Sequence, residues 1–244
     1  MESSLGHDIQ AILFDLDGTL LDTSDDLAYI LNAMLTEDNR EAIPTEVVRG
    51  HISIGSRGLV ALGYGQDLDK ETAEQLRQTL LTRYNNHIVN PDRTTRSTLF
   101  EGMEALLAAI ESRHLPWGIV TNKPKYLTIP LLEQLDLYDR CSVLVCPEDV
   151  TVAKPDPEAL WLAAEKLACQ PEHCLYVGDH ERDIEAGRGA GMTTVTALYG
   201  FIPPGTCPEN WNADLNADSP DSILHWLDDS NWQLHSLPDS LKHP

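Results

Sequence analysis

A chain of 244 residues, 42% hydrophobic and 23% charged, has the length and composition to bury a substantial core as one large or two modest domains. Its formal net charge of −22 argues against a nucleic acid or an anionic membrane as partner, because those surfaces need clustered Lys and Arg; most of its 39 acidic side chains read as solvated surface. Five scattered cysteines with no C-x-x-C pair argue against zinc, residues 1–10 are polar without a secretory core, and no run approaches the ~20 apolar residues of a membrane span, so the expected setting is soluble, reducing and cytoplasmic.

In chain order, the apolar run Ala11-Ile12-Leu13-Phe14 enters Asp15-Leu16-Asp17-Gly18-Thr19-Leu20. It reads as a buried strand ending in a loop, with Gly18 letting the backbone turn after two carboxylates. The first of these can sit at a strand end, where open α/β sheets bind ligands. Two carboxylates in one loop repel, and a cation or a shared proton resolves the repulsion. From Ser24 the apolar residues Leu27, Ile30, Leu31, Met34 and Leu35 recur at helical spacing, with Thr23 or Ser24 as N-cap and Asp25 and Asp26 favourable in the first turn. Pro44 opens a second helix, a Gly-containing stretch at 54–59 interrupts, and a longer helix carries Ala73, Leu76, Leu80, Tyr84 and Ile88 on one face. With no strand pattern between 24 and 95, this region reads as a separate helical unit, and the polar segment 90–95 as a hinge out of it.

Beyond that hinge helix and strand alternate: helices near 103–110, 126–135 and 157–168 precede strands at 117–121, 142–146 and 174–178, with a further strand at 193–197. Such alternation implies right-handed βαβ units on a parallel sheet. The Trp and Met residues of these helices are expected in the core, as are the strand-flanking thiols Cys141, Cys146, Cys169 and Cys174. The expected organisation is a discontinuous α/β core (1–23 and 96–228), a helical insert (24–95) and a poorly ordered tail (229–244).

Three further segments end or follow apolar runs in the same way: Val120-Thr121-Asn122-Lys123-Pro124, Lys154-Pro155-Asp156-Pro157 and Gly178-Asp179-His180-Glu181-Arg182-Asp183. With the Asp15–Leu20 loop they form an ordered set that resembles the haloacid dehalogenase-like hydrolase superfamily along the whole chain except its termini. The resemblance implies a Rossmann-like parallel sheet with an inserted all-helical cap that closes over the site. It also implies phosphate monoester hydrolysis through an aspartyl-phosphate, assisted by Mg²⁺. In that pattern Asp15 is the nucleophile and Asp17 the general acid and base, with its backbone carbonyl also a metal ligand. Thr121 and Asn122 donate to the phosphate, and Lys154 neutralises it. Asp15, Asp17 and Asp179 supply oxygen to Mg²⁺, with Asp183 acting through water or orienting the other ligands; Asp183 also reads as a first-turn acid of the following helix. His180 is expected to tune the surroundings rather than bind metal, Lys123 and Lys125 to be loop charges, and Gly187, Gly189 and Gly191 to be structural. Arg57 in the cap turn is the candidate contact to a substrate carboxylate or phosphate, or else a solvated loop residue; His51, Tyr84 and His87 are weaker cap candidates.

Cap position and the Asp-Gly-Thr triplet are similar to the phosphoglycolate phosphatase-type branch. The stretches Trp117–Pro124, Cys146–Val150, Gly187–Gly191 and Tyr199–Pro203, with Asn210-Trp211 and Phe100-Glu101-Gly102-Met103, resemble the N-acetylmuramic acid 6-phosphate phosphatases of cell-wall recycling. The expected partner is therefore a small phosphate ester, the amino-sugar phosphate favoured over 2-phosphoglycolate, and both carry a carboxylate. Asp17 argues against a true dehalogenase. A sugar phosphomutase, or a silent binding module on the same fold, are the remaining readings.

Overall fold

The computed structural model describes residues 9–90, 92 and 94–229. Strand β1 (Ala11–Phe14) is buried at every residue. It lies between two later strands, β4 (Trp117–Val120) and β6 (Cys174–Gly178), and pairs with both in parallel. A strand covered on both faces needs a continuous apolar run rather than an alternating one, and all three have it. The sheet runs β5 (Val143–Val145), β4, β1, β6, β7 (Thr193–Ala197) and β8 (Leu215–Ala217), with every neighbouring pair parallel.

The pleat of β1 divides the core. Ile12 and Phe14 face a layer that takes in Leu106 and Leu107 of α5 (Met103–Ser112), Leu131 of α6 (Lys125–Gln134) and Leu227 of α9 (Pro220–Asp229). Ala11 and Leu13 face the opposite layer, with Leu160 of α7 (Glu158–Lys166) and Ala186 of α8 (Glu181–Ala190). Register then sets the site. Phe14 stands opposite Ile119 and Val177, so Asp15, Thr121 and Asp179 leave their strands at one carboxyl edge.

The insert is helical as expected: α1 (Ser24–Glu37), α2 (Thr45–Ile52), α3 (Ser56–Tyr64) and α4 (Lys70–Ile88), with no strand among its described residues. Its passages in and out are joined by something the periodicity does not foretell. Two-residue strands β2 (Leu21–Asp22) and β3 (Thr98–Leu99) pair antiparallel, too short to leave a sequence pattern. Behind them Asp26 binds both passages. Its carboxylate accepts from Ser97 Oγ (2.6 Å), from the backbone N–H groups of Arg96 (3.0 Å) and Ser97 (3.1 Å) and from Thr95 Oγ1, and sits 2.7 Å from His87 Nε2. Burial would raise the Asp26 pKa, but these donors outweigh it and hold the carboxyl below its usual value.

Several local expectations change. Thr23 precedes α1 but does not cap it through its hydroxyl, and Ser24 instead donates both N–H and Oγ–H to Asp22. Trp161 is 49% exposed rather than core, its indole N–H reaching the Ala190 carbonyl on α8 at 3.3 Å. Cys141 is only half-buried, whereas Cys146, Cys169 and Cys174 are buried. Strand β8 and helix α9 extend the core unannounced. The expected disorder of the tail falls on residues 230–244, outside the described residues. No described helix is long and apolar enough to cross a membrane.

Candidate active site

Asp15 follows β1 directly, its backbone N–H held by the Val177 carbonyl at 2.9 Å. Its carboxylate Oδ1 lies 3.0 Å from Lys154 Nζ and accepts the Leu16 N–H at 2.7 Å. Lys154 is buried, and its ammonium also meets Asp183 Oδ1 (2.7 Å), the Val120 carbonyl (2.9 Å) and the Tyr176 hydroxyl (2.7 Å). Desolvation opposes its charge, but Asp15 and Asp183 overcome that and raise its pKa. Asp179 leaves β6 after Gly178 and is wholly buried. It accepts from the cap through Ser53 Oγ (2.7 Å) and from the Phe201 N–H (2.9 Å). The backbone is crowded here. Gly18 has φ +87°, and a Cβ on it would stand 2.0 Å from Asp179 Oδ2, so only glycine fits.

Oxygens of Asp15, Asp179 and Asp183 all lie within 4.8 Å of one another, and all three residues are buried. Among the described residues Lys154 is the only cation that forms an ion pair with this group of three acids. Burial, then the charges of Asp15 and Asp183, push the Asp179 carboxyl up to about 7. Burial likewise raises Asp183 despite Lys154 beside it. Hard oxygen donors with that single ionic partner fit a divalent cation such as Mg²⁺. The Asp17 side chain is not in this group; its only expected route to a metal is the backbone carbonyl.

Asp17 points the other way. Its Oδ1 accepts the Thr23 hydroxyl at 2.7 Å, and Lys123 Nζ sits 3.0 and 3.2 Å from its two oxygens. Lys123, expected to be a loop charge, is instead 8% exposed and also donates to the hydroxyl of Tyr84 on cap helix α4 at 3.2 Å. Its pKa is raised against desolvation by Asp17 and Tyr84. Lys125 behaves as expected, pairing with Asp149 at the surface. Thr121 is buried with its Oγ1 accepting the Lys123 N–H at 3.1 Å. Asn122 lines the cleft, and its side-chain amide bonds the backbone of Lys154, donating to its carbonyl (3.0 Å) and accepting its N–H (3.2 Å). These two bonds position the lysine and use one of the two N–H groups of the amide. His180 N-caps α8, accepting the Arg182 N–H at Nδ1 (3.2 Å) and stacking on Trp211; burial, then Arg182, lower its pKa to about 4. A neutral capping imidazole agrees with its expected supporting role.

A cavity of about 130 Å³ lies between sheet edge and cap, walled by Asp15, Asp17, Thr121, Lys123 and Arg182 below and by Ser53, Gly55, Ser56 and Tyr84 above. Arg57 does not line it. It faces a separate cavity of about 900 Å³ within the cap, with His51, Lys70 and Glu74. His87 is committed to Asp26, and of the weaker cap candidates only Tyr84 reaches the cleft. Sequence reasoning missed Lys123, Ser53 and Arg182. One signal for Arg182 was available: a cation in a helix's first turn opposes the helix dipole, a local conflict that helix formation does not explain.

The model of the haloacid dehalogenase-like hydrolases matches residues 12–197, and the chain belongs to that family. An N-acetylmuramic acid 6-phosphate phosphatase of Pseudomonas putida is 44% identical over 220 residues, 90% of this chain and 96% of that one. A phosphoglycolate phosphatase of Xanthomonas campestris is 39% identical over 214 residues, 88% of this chain and 94% of the relative. In fold, the crystal structure of a predicted phosphoglycolate phosphatase from Haemophilus somnus superposes with TM-score 0.75 at 24% identity, covering 89% of this chain and 97% of that one. The enzyme class shared by these relatives is phosphatase, and this chain is a phosphatase of the same family.

Proposed function

We propose that the protein hydrolyses a small phosphate monoester through an aspartyl-phosphate on Asp15, with N-acetylmuramic acid 6-phosphate as the favoured substrate. The observation that carries the reaction is the buried Asp15–Lys154–Asp183 chain of ion pairs at the sheet edge, with Asp179 beside it. Bulk water hydrolyses such esters so slowly that accelerations reach ~10²¹-fold, and dividing the reaction at a carboxylate nucleophile is one way to achieve this. An Asp15 oxygen attacks phosphorus, and the bond to the leaving oxygen breaks as Asp17, the general acid of this reading, passes a proton to that oxygen. Asp17 then takes a proton from the water that attacks the acyl-phosphate, releasing phosphate and restoring Asp15. Lys154 balances charge on the transferring group, and the Thr121 hydroxyl is placed to donate to one of its oxygens. Asp15, Asp179 and Asp183 would hold Mg²⁺, with the Asp17 carbonyl as a further ligand; the ion supplies charge neutralisation of the phosphoryl oxygens when bound.

We further propose that residues 24–95 act as a mobile cap on the core of 1–23 and 96–228, since the cleft is narrow and two of its polar links, Ser53 to Asp179 and Tyr84 to Lys123, cross from cap to core. The relatives at 44% and 42% identity support the amino-sugar ester, and the group at 39% supports 2-phosphoglycolate as the second reading. The test is phosphate release with Mg²⁺ from the two esters side by side, with Asp15→Asn as control. Faster turnover of the amino-sugar ester upholds the first reading, faster turnover of 2-phosphoglycolate the second. Activity surviving in the Asp15→Asn protein refutes the mechanism.

A further inference from the structure

Three cations stand at the cleft, and two are already committed. Lys154 is held by Asp15, Asp183 and a backbone carbonyl, and Lys123 by Asp17 and the Tyr84 hydroxyl. Arg182 differs. Among the described residues its guanidinium enters no ion pair and no side-chain hydrogen bond, although it lines the same cavity as Asp15 and Asp17. Its Nε is buried without any partner. A buried N–H on a charged group is costly to leave unpaired, unless a ligand completes it. Nor does helix formation explain the residue, since the first turn of α8 favours the acids Glu181 and Asp183 on either side.

The transferring phosphoryl group already has Lys154, Thr121 and the cation that Asp15, Asp179 and Asp183 would hold to meet it. The cap wall of the cleft offers the small residues Ser53, Gly55 and Ser56, with no cation among them. A planar guanidinium fork matches a carboxylate in a way that a lysine ammonium does not. We propose that Arg182 is a specificity residue that binds a carboxylate carried by the phosphate ester, the role the sequence suggests for Arg57. This rests on the phosphatase reading, not on which carboxylate-bearing ester is preferred.

The test compares kcat/KM of the wild type, Arg182→Gln and Arg182→Lys on N-acetylmuramic acid 6-phosphate and N-acetylglucosamine 6-phosphate, which differ by the lactyl carboxylate. Thermal unfolding verifies that each variant is folded. The expected result is a loss in Arg182→Gln on the order of 10- to 100-fold greater for the carboxylate-bearing ester, carried mainly by KM, with partial recovery in Arg182→Lys. Equal losses on both esters, or none on either, would overturn the assignment. If the wild type instead prefers 2-phosphoglycolate, the amino-sugar reading falls alone. The same selective loss must then appear between 2-phosphoglycolate and 2-hydroxyethyl phosphate, and its absence overturns the Arg182 role. A wild type that releases phosphate from none of these esters overturns both the reading and the inference.

Discussion

Two buried acidic sites lie within this chain, and their electrostatics are opposite. Asp26, at the junction of cap and core, is surrounded by hydroxyls, backbone N–H groups and His87, and its pKa is lowered despite burial. Asp179, at the sheet edge, meets donors at 2.7, 2.9 and 3.4 Å but faces two other carboxyl groups, and burial, then those groups, push its pKa up to about 7. Burial is common to both; the supply of positive charge and donors is not. The protein completes the first site by itself, and under the proposed function a cation and an anionic substrate complete the second. A satisfied buried acid reads as architecture, an unsatisfied cluster as chemistry.

The comparison is tested most severely by substituting each site in turn. Asp15→Asn removes the proposed nucleophile and also relieves repulsion in the cluster, so phosphate release is expected to fall by about 10⁴-fold or more while the thermal midpoint holds or rises. Asp26→Ala strips the partner from a set of buried donors. It costs about 3–5 kcal/mol in urea unfolding, and a loss under 1 kcal/mol would remove Asp26 from its structural role. Lys123→Met frees the Asp17 carboxylate and is expected to lower kcat about 10²-fold with a smaller change in KM, read from steady-state kinetics.

Under the proposed metal site, Mg²⁺ at 100 times its dissociation constant is expected to stabilise the wild type by about 2.7 kcal/mol in thermal unfolding. That shift persists in Asp26→Asn and disappears in Asp179→Asn; an equal shift in both would place the ion elsewhere. The smallest effect is a pH dependence. The folded pKa of Asp26 lies below its unfolded value near 3.8, so its stabilisation is complete above that pH and lost as pH falls through the folded value. The stability gap between wild type and Asp26→Asn should therefore close on acidification, as measured by urea unfolding at pH 6 and in steps below pH 4.

The legible parts of the site were those written locally. Asp15, Thr121 and Asp179 each end an apolar run, and adjacent parallel strands bring such ends to one edge. Lys154 was legible only through the resemblance its Lys-Pro-Asp-Pro setting carries. Lys123 was misread because the oxygens it binds belong to Asp17, 106 positions away, and nothing in Asn122-Lys123-Pro124 reports that distance. The cap turn reaches the cleft, but not through Arg57. Ser53, Gly55 and Ser56 line the cleft, but α3 begins at Ser56, and one step along a helix turns a side chain by about 100°, which carries Arg57 to another face. Strands of two residues and the β8–α9 extension were invisible because their pairing is a long-range event with too few residues to leave a period.

By itself the sequence determined the alternation of helix and strand, the place of the inserted cap and the loops that carry the carboxylates, because burial imposes its period on every few residues. Which buried acid is satisfied, which lysine holds Asp17 and which arginine keeps a buried N–H unpaired were decided only by the tertiary structure. Those are sums of charge, donors and solvent over groups that folding brings together from distant parts of the chain.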